Sequence, residues 1–113
     1  MEPIYHLVEP AAWEANPAAD YAVASLDSEG FTHCAFPHQV APAANRFYPA
    51  VAALLALQLD PARLTSPLRI EPPSPTSTSG QMFPHVYGPL QRSAVAKVHI
   101  LTRDDGGRWF FPS

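Results

Sequence analysis

Ile4-Tyr5-His6-Leu7-Val8 is a run of apolar residues around a single histidine. Side chains in a strand point alternately to its two faces, so a strand apolar at nearly every position is covered on both, and His6 points into the protein. Downstream, Pro10 occupies a first-turn position ahead of Ala11, Ala12, Trp13, Glu14 and Ala15. This predicts a short helix that stops before Asn16-Pro17, with Trp13 as its core anchor. Asp20 to Leu26 reads as extended or irregular, and the turn chemistry of Asp27-Ser28-Glu29-Gly30 delivers the chain into a strand at Phe31-Thr32-His33-Cys34-Ala35. On that strand Phe31, His33 and Ala35 share one face, and Thr32 and Cys34 the other.

Pro37 can open a helix reaching about Tyr48, with Val40, Ala43, Ala44 and Phe47 at helical spacing and Pro42 tolerated in a loosely wound first turn. His38 falls near the helix start, a surface or capping position. Val51 to Leu59 reads as a buried central strand. Leu68 to Glu71 is a short strand ending at Pro72-Pro73, and Met82 to Tyr87 is extended, broken by Pro84 and stopped by Gly88-Pro89. Gln91 to Ala94 is at most one helical turn, and Val95 to Thr102 is a strand. After the Asp104-Asp105-Gly106-Gly107 turn, Arg108-Trp109-Phe110-Phe111 can fold back as a hairpin partner, and its aromatics need cover from this chain or from another copy. Strands outnumber helices without alternating with them. The expected class is therefore α+β, a compact single domain with a bent, mixed or antiparallel sheet and a few short helices.

Composition narrows the function classes. The chain has 113 residues, enough for one domain, and its 15% of charged residues lies below the usual quarter. The net charge is −3, with seven Lys and Arg scattered along the chain, so no nucleic-acid partner is expected. No run approaches the roughly 20 apolar residues that span a bilayer, so no membrane partner is expected either. One cysteine and an N-terminus without signal-peptide character point to the cytoplasm. Fourteen prolines stiffen the loops, apart from Pro72 to Gly80 and the Asp104 to Gly107 turn with its tail.

The residues able to carry chemistry are His6, His33, His38, His85, Cys34, Arg46, Tyr48, Glu71 and Tyr87. Each buried imidazole demands polar partners that a core otherwise avoids, so several in one small domain point to a shared pocket. A metal centre at His33, Cys34 and His38 is disfavoured, because His33 and Cys34 face opposite ways on a strand and no His-x-His or Cys-x-x-Cys spacing occurs. Cys34 reads as a small apolar packing residue, although the nearby helix start could activate a thiol. Glu71 at its strand end is either solvated, paired with Arg69 or Arg46, or held as a base or hydroxyl anchor. The rigid Phe83 to Pro89 lip, with Tyr87, suits a planar ligand.

Together, Ile4-Tyr5-His6-Leu7-Val8, Ser25 through Gly30-Phe31-Thr32-His33-Cys34, Ala44-Asn45-Arg46-Phe47-Tyr48, Leu59-Asp60-Pro61-Ala62-Arg63-Leu64, Glu71-Pro72-Pro73 and Phe83-Pro84-His85-Val86-Tyr87-Gly88-Pro89-Leu90 resemble a small bacterial family of unknown function, number 952. The resemblance covers about residues 3 to 101. It implies one family-like domain over 1–101, followed by a C-terminal extension over 102–113 that is a hairpin strand or an interaction tail. It further implies the bent, split sheet of an ADP-ribosyltransferase-like fold. By that likeness Tyr5-His6 matches the first-strand histidine motif that holds the nicotinamide ribose of NAD. Glu71 would be the catalytic carboxylate beside His6, and Tyr48 or Tyr87 the ring that stacks on nicotinamide. His33, His85 and Arg46 complete the expected ligand-binding set, with no metal. Ala35 stands where the family pattern has serine, and Ile70 where an aromatic is common. The expected function is therefore a small-ligand pocket for NAD or a related nucleotide, with ADP-ribosyl-type transfer as its chemistry, in a monomer or homodimer. The alternative is a non-catalytic binding or interaction module whose histidines are structural.

Overall fold

The computed structural model describes residues 2–15, 20–22 and 27–111. Strand β3 (Leu55–Leu59) lies between β1 (Ile4–Val8) and β6 (Val95–Ile100), both antiparallel to it, with His6 opposite Leu57. The strand starts at Leu55 and not at Val51, because Ala52 and Ala53 are exposed and offer no apolar face to bury. All five β1 residues are buried, as an all-apolar strand requires. Tyr5, Leu7 and Ala56 point into one core, shared with Val40, Ala44, Leu54, Leu101 and Trp109. Ile4, Val8, Leu55, Leu57 and Leu59 point into a second, shared with Cys34, Val86 and Leu90. His6 lies between Ile4 and Val8 in parity and so faces the second core.

A second sheet runs β2 (Thr32–His33), β5 (Phe83–Val86), β4 (Leu68–Glu71), again antiparallel. The two sheets meet through one short segment. Thr32 and His33 pair with β5, Cys34 N–H donates to the Pro84 carbonyl at 3.0 Å, and Ala35 then exchanges two 2.8 Å bonds with Tyr5 of β1. Residues 32 to 35 therefore leave one sheet for the other, which splits and bends the whole. The strand pairings among the described residues are all antiparallel, which settles the mixed-or-antiparallel expectation.

Helix α1 (Pro10–Glu14) starts on its proline. Ahead of α2 (Val40–Phe47) a 3-10 turn, Pro37–Gln39, is closed by the Gln39 side chain, which accepts from Phe36 N–H at 2.9 Å. Pro42 sits in the first turn of α2, where its missing N–H has no intrahelical partner to lose. No helix among the described residues is long and apolar enough to cross a membrane.

The C-terminal segment folds back as a hairpin on the domain. Thr102–Arg103 (β7) pairs with Trp109–Phe110 (β8) across a turn in which Gly107 takes φ +79°. Trp109 is buried, donates its indole N–H to the Tyr48 carbonyl at 2.7 Å, and has both backbone polar groups bonded by Asn45. The Phe111 ring packs edge-on to Tyr5 at 5.1 Å. Of the three aromatics only Phe110 is exposed. Of the expected irregular stretch Asp20 to Leu26, residues 23–26 lie outside the described residues, as does the Asn16-Pro17 helix stop; Tyr21 makes a two-bond bridge to Leu90.

Candidate functional site

Strand parity assembles one polar and aromatic cluster on the small sheet. Arg69 of β4, His85 of β5 and His33 of β2 are opposite one another across the ladder. Directly opposed residues share a face, and so do neighbours two residues along, which adds Glu71, Tyr87 and Phe31. The contacts follow. The Phe31 ring stacks on His85 with centroids 4.0 Å apart and planes 16° from parallel. It also meets His33 edge-on at 4.8 Å and Tyr87 at 5.3 Å.

At the centre is Glu71. Its Oε1 accepts a 2.8 Å hydrogen bond from His85 Nδ1 and a second, short one from the Tyr87 hydroxyl. These two donors hold the carboxyl below its ordinary range, the Tyr87 bond being the larger cause, and the same hydrogen bond raises the Tyr87 phenol in return. Glu71 keeps 29% of its side chain exposed while His85 keeps 1%. The carboxylate is thus anionic, positioned from beneath and open above. The Arg69 guanidinium lies over the Tyr87 ring at 5.0 Å, a cation–π contact beside the carboxylate.

The lip that carries Tyr87 is pinned on both sides. Tyr87 N–H donates to Pro67, Thr32 Oγ1 to the Gly88 carbonyl at 3.1 Å, and Ser66 Oγ to the Pro89 carbonyl at 3.2 Å. A Cβ on Gly88 would come within 2.2 Å of Ser66 Oγ, so glycine is what allows the two loops to touch.

His33 is not the buried residue its apolar strand suggested. β2 is only two residues long, and the preceding turn brings Glu29 Oε2 to 2.5 Å from His33 Nε2, with both side chains about half exposed. His6 meets His33 only at its backbone: the His6 Nδ1–H donates to the His33 carbonyl at 2.6 Å. Burial lowers the His6 pKa to about 4, and its Nε2 is buried without a partner among the described residues. The His6 ring lies 5.6 Å from that of Tyr21. Tyr21 borders a separate cavity of about 250 Å³ lined by Ala12, Ala15, Asp20, Ala22 and Arg92.

The structure therefore joins Glu71, His85, Tyr87 and His33 in one site and leaves three expected members outside its contacts. His6 is linked to it through the His33 backbone. Tyr48 ends α2 half-buried; the Tyr21 phenol is raised by its own burial first and by nearby Tyr48 second. Arg46 is exposed with its guanidinium 5.3 Å from the Phe47 ring centroid. His38 is exposed and stacked on Phe36, and Cys34 is buried, with its thiol pushed up by burial. No group of three His, Cys, Asp or Glu among the described residues could hold a metal ion. Sequence reasoning missed Phe31 and Glu29 and gave Arg69 only an ion-pair role. Parity on the Phe31–Ala35 strand carried the signal for Phe31, and the four-residue spacing from Glu29 to His33 the signal for the pair.

Solved structures of protein CC0527 from Caulobacter crescentus are similar to this chain. The X-ray structure is 28% identical with a TM-score of 0.81, covering 96% of this chain and 93% of that one. The solution NMR structure is 29% identical with a TM-score of 0.77, covering 96% and 91%. No curated protein matches. A family model described as "Protein of unknown function (DUF952)" matches residues 7–98.

Proposed function

This chain belongs to the DUF952 family, and we propose that it binds a small hydroxylated ligand of the NAD or nucleotide class at the Glu71 cluster and transfers its ADP-ribosyl group. The observation that carries the reading is the doubly bonded Glu71 carboxylate. Both donors converge on Oε1, which leaves Oε2 for a ligand hydroxyl. An anion fixed by its surroundings stabilises positive charge developing on a sugar carbon without having to reorganise. The cluster's other parts suit the same ligand class: Tyr87 bonds the carboxylate, Phe31 packs against the rings of Tyr87 and His85, and the Arg69 guanidinium can meet a phosphate. One part of the likeness to ADP-ribosyltransferases does not fit, since His6 is 6% exposed and spends its Nδ1 on a backbone carbonyl. In this reading His6 fixes the β1–β2 junction, and His85 and Tyr87 do the orienting.

Saturation-transfer NMR and calorimetry with NAD, ADP-ribose and nicotinamide test it. Binding that weakens at least tenfold in Glu71→Gln is expected. No binding of any of the three at millimolar concentration overturns the nucleotide reading. The second reading, a non-catalytic module with structural histidines, is supported by the buried, backbone-bonded His6. It gains if His6→Ala and His33→Ala both unfold, and loses if they fold and only ligand binding changes.

A further inference from the structure

The Glu29–His33 pair stands at the edge of the site with no part in holding Glu71. Its geometry is that of an oriented base. Glu29 Oε2 lies 2.5 Å from His33 Nε2, which fixes the ring and makes Nε2 the proton-bearing nitrogen. Nδ1 then carries a lone pair, has no partner among the described residues, and belongs to a side chain that is half exposed. Phe31 packs edge-on to the ring at 4.8 Å, and His85 does so at 5.3 Å and 84°. Those contacts set the ring beside His85, which holds Glu71, and beside Phe31, which stacks on His85.

We propose that His33, oriented by Glu29, is the base of this site, and that the nucleophile it activates is an O–H group, water or an alcohol. The proposal rests on the transfer reading above. In the step, the nucleophile's oxygen bonds to the anomeric carbon of the nicotinamide ribose as that carbon's bond to nicotinamide breaks. The bonding pair leaves with the nicotinamide nitrogen, which becomes neutral, and the O–H proton passes to His33 Nδ1. Glu71 faces the positive charge that develops on the sugar. The imidazolium that forms is stabilised by Glu29, the arrangement in which a carboxylate serves a histidine base. The charged and titratable groups around His33 are Glu29 from its own turn, His85 from β5 with Glu71 behind it, Arg69 next along the ladder, and His6 at its backbone carbonyl.

Two measurements decide it. Long-range proton–nitrogen NMR on the wild type should find neutral His33 protonated on Nε2, a preference that Glu29→Gln weakens. A wild type protonated on Nδ1 overturns the proposal. Nicotinamide release from NAD, followed against pH, should inflect at the His33 ring titration seen by NMR. In His33→Asn, checked for folding by circular dichroism, kcat should fall about a hundredfold or more with KM little changed. Release as fast from His33→Asn overturns the base role alone. A wild type that binds NAD but releases no nicotinamide overturns the base role and leaves the ligand reading standing. Absence of NAD binding overturns both.

Discussion

Replacing Trp109 by alanine should remove a large share of the protein's stability, although the residue lies only four positions from Ser113. Trp109 is 4% exposed and belongs to the core built from Tyr5, Leu7, Val40, Ala44 and Leu101. Truncating a buried tryptophan costs about 3–5 kcal/mol, from the lost transfer free energy and the cavity left behind. Two further contacts go with the ring. The indole N–H bonds the Tyr48 carbonyl, where water can substitute because Tyr48 is half-buried, and the Arg103 guanidinium stacks over the ring at 3.8 Å. An exposed cation–π contact is worth about 0.5–1 kcal/mol, so neither moves the figure outside that range. A domain of this size has about 5–15 kcal/mol in all, so the loss is about a fifth of it or more. Urea unfolding followed by circular dichroism should give a midpoint lowered in proportion, with an unchanged slope. Phe110→Ala, at 56% exposure, is the control and should change stability by less than about 0.5 kcal/mol. A Trp109→Ala loss below about 1 kcal/mol would refute the placing of this segment in the core.

Gly88→Ala should cost about 1–3 kcal/mol, because the new Cβ meets Ser66 Oγ at 2.2 Å and Ser66 Cβ at 2.8 Å; Ser66→Gly in the same chain should restore most of it, and failure to do so in thermal melts would locate the strain elsewhere. Stability should fall on acidification through His6. The unfolded histidine takes up its proton below 6.5 and the buried one only near 4, so stabilisation is complete above 6.5, is lost progressively down to about 4, and amounts to about 3 kcal/mol. Urea midpoints between pH 7 and 4.5 should fall more gently in His6→Gln, and parallel curves would contradict the assignment. Tyr87→Phe removes the donor that contributes most to the lowered Glu71 pKa, so the Glu71 carboxyl, read by carbon NMR, should titrate higher than in the wild type; an unmoved titration would show that the hydroxyl does not bond it in solution.

The elements that were legible are those whose apolar period decides them. Ile4–Val8 and Leu55–Leu59 are apolar on both faces and occupy adjacent strands of one sheet. Pro10 and Pro37 announce helical starts because a proline lacks only an N–H that the first turn cannot use. What was not legible is how the chain crosses from sheet to sheet. Parity gives the face of a side chain within its own strand, but not the relation of that face to a strand in another sheet. His6 and Glu71 were expected in one pocket on this account, whereas His6 faces the core between Ile4 and Val8 and Glu71 lies on the small sheet. Trp109 was illegible for a related reason, since its cover comes from Asn45 and Tyr48, some sixty residues earlier in the chain.

The two carboxylate–imidazole pairs flanking Phe31 differ in one respect that separates their roles. His85 bonds Glu71 through Nδ1, and its other nitrogen is buried, so the ring can only position the carboxylate. His33 bonds Glu29 through Nε2, and its side chain is half exposed, so this ring can exchange a proton. Burial also makes the first pair the stiffer one, because a buried imidazole stacked at 4.0 Å cannot rotate without breaking the Phe31 contact. An arrangement meant only to tie three strands together would gain nothing from leaving one imidazole half exposed beside an open carboxylate. On the proposed reading, that asymmetry, more than the number of histidines, divides the roles: His85 holds the Glu71 carboxylate and His33 takes the proton.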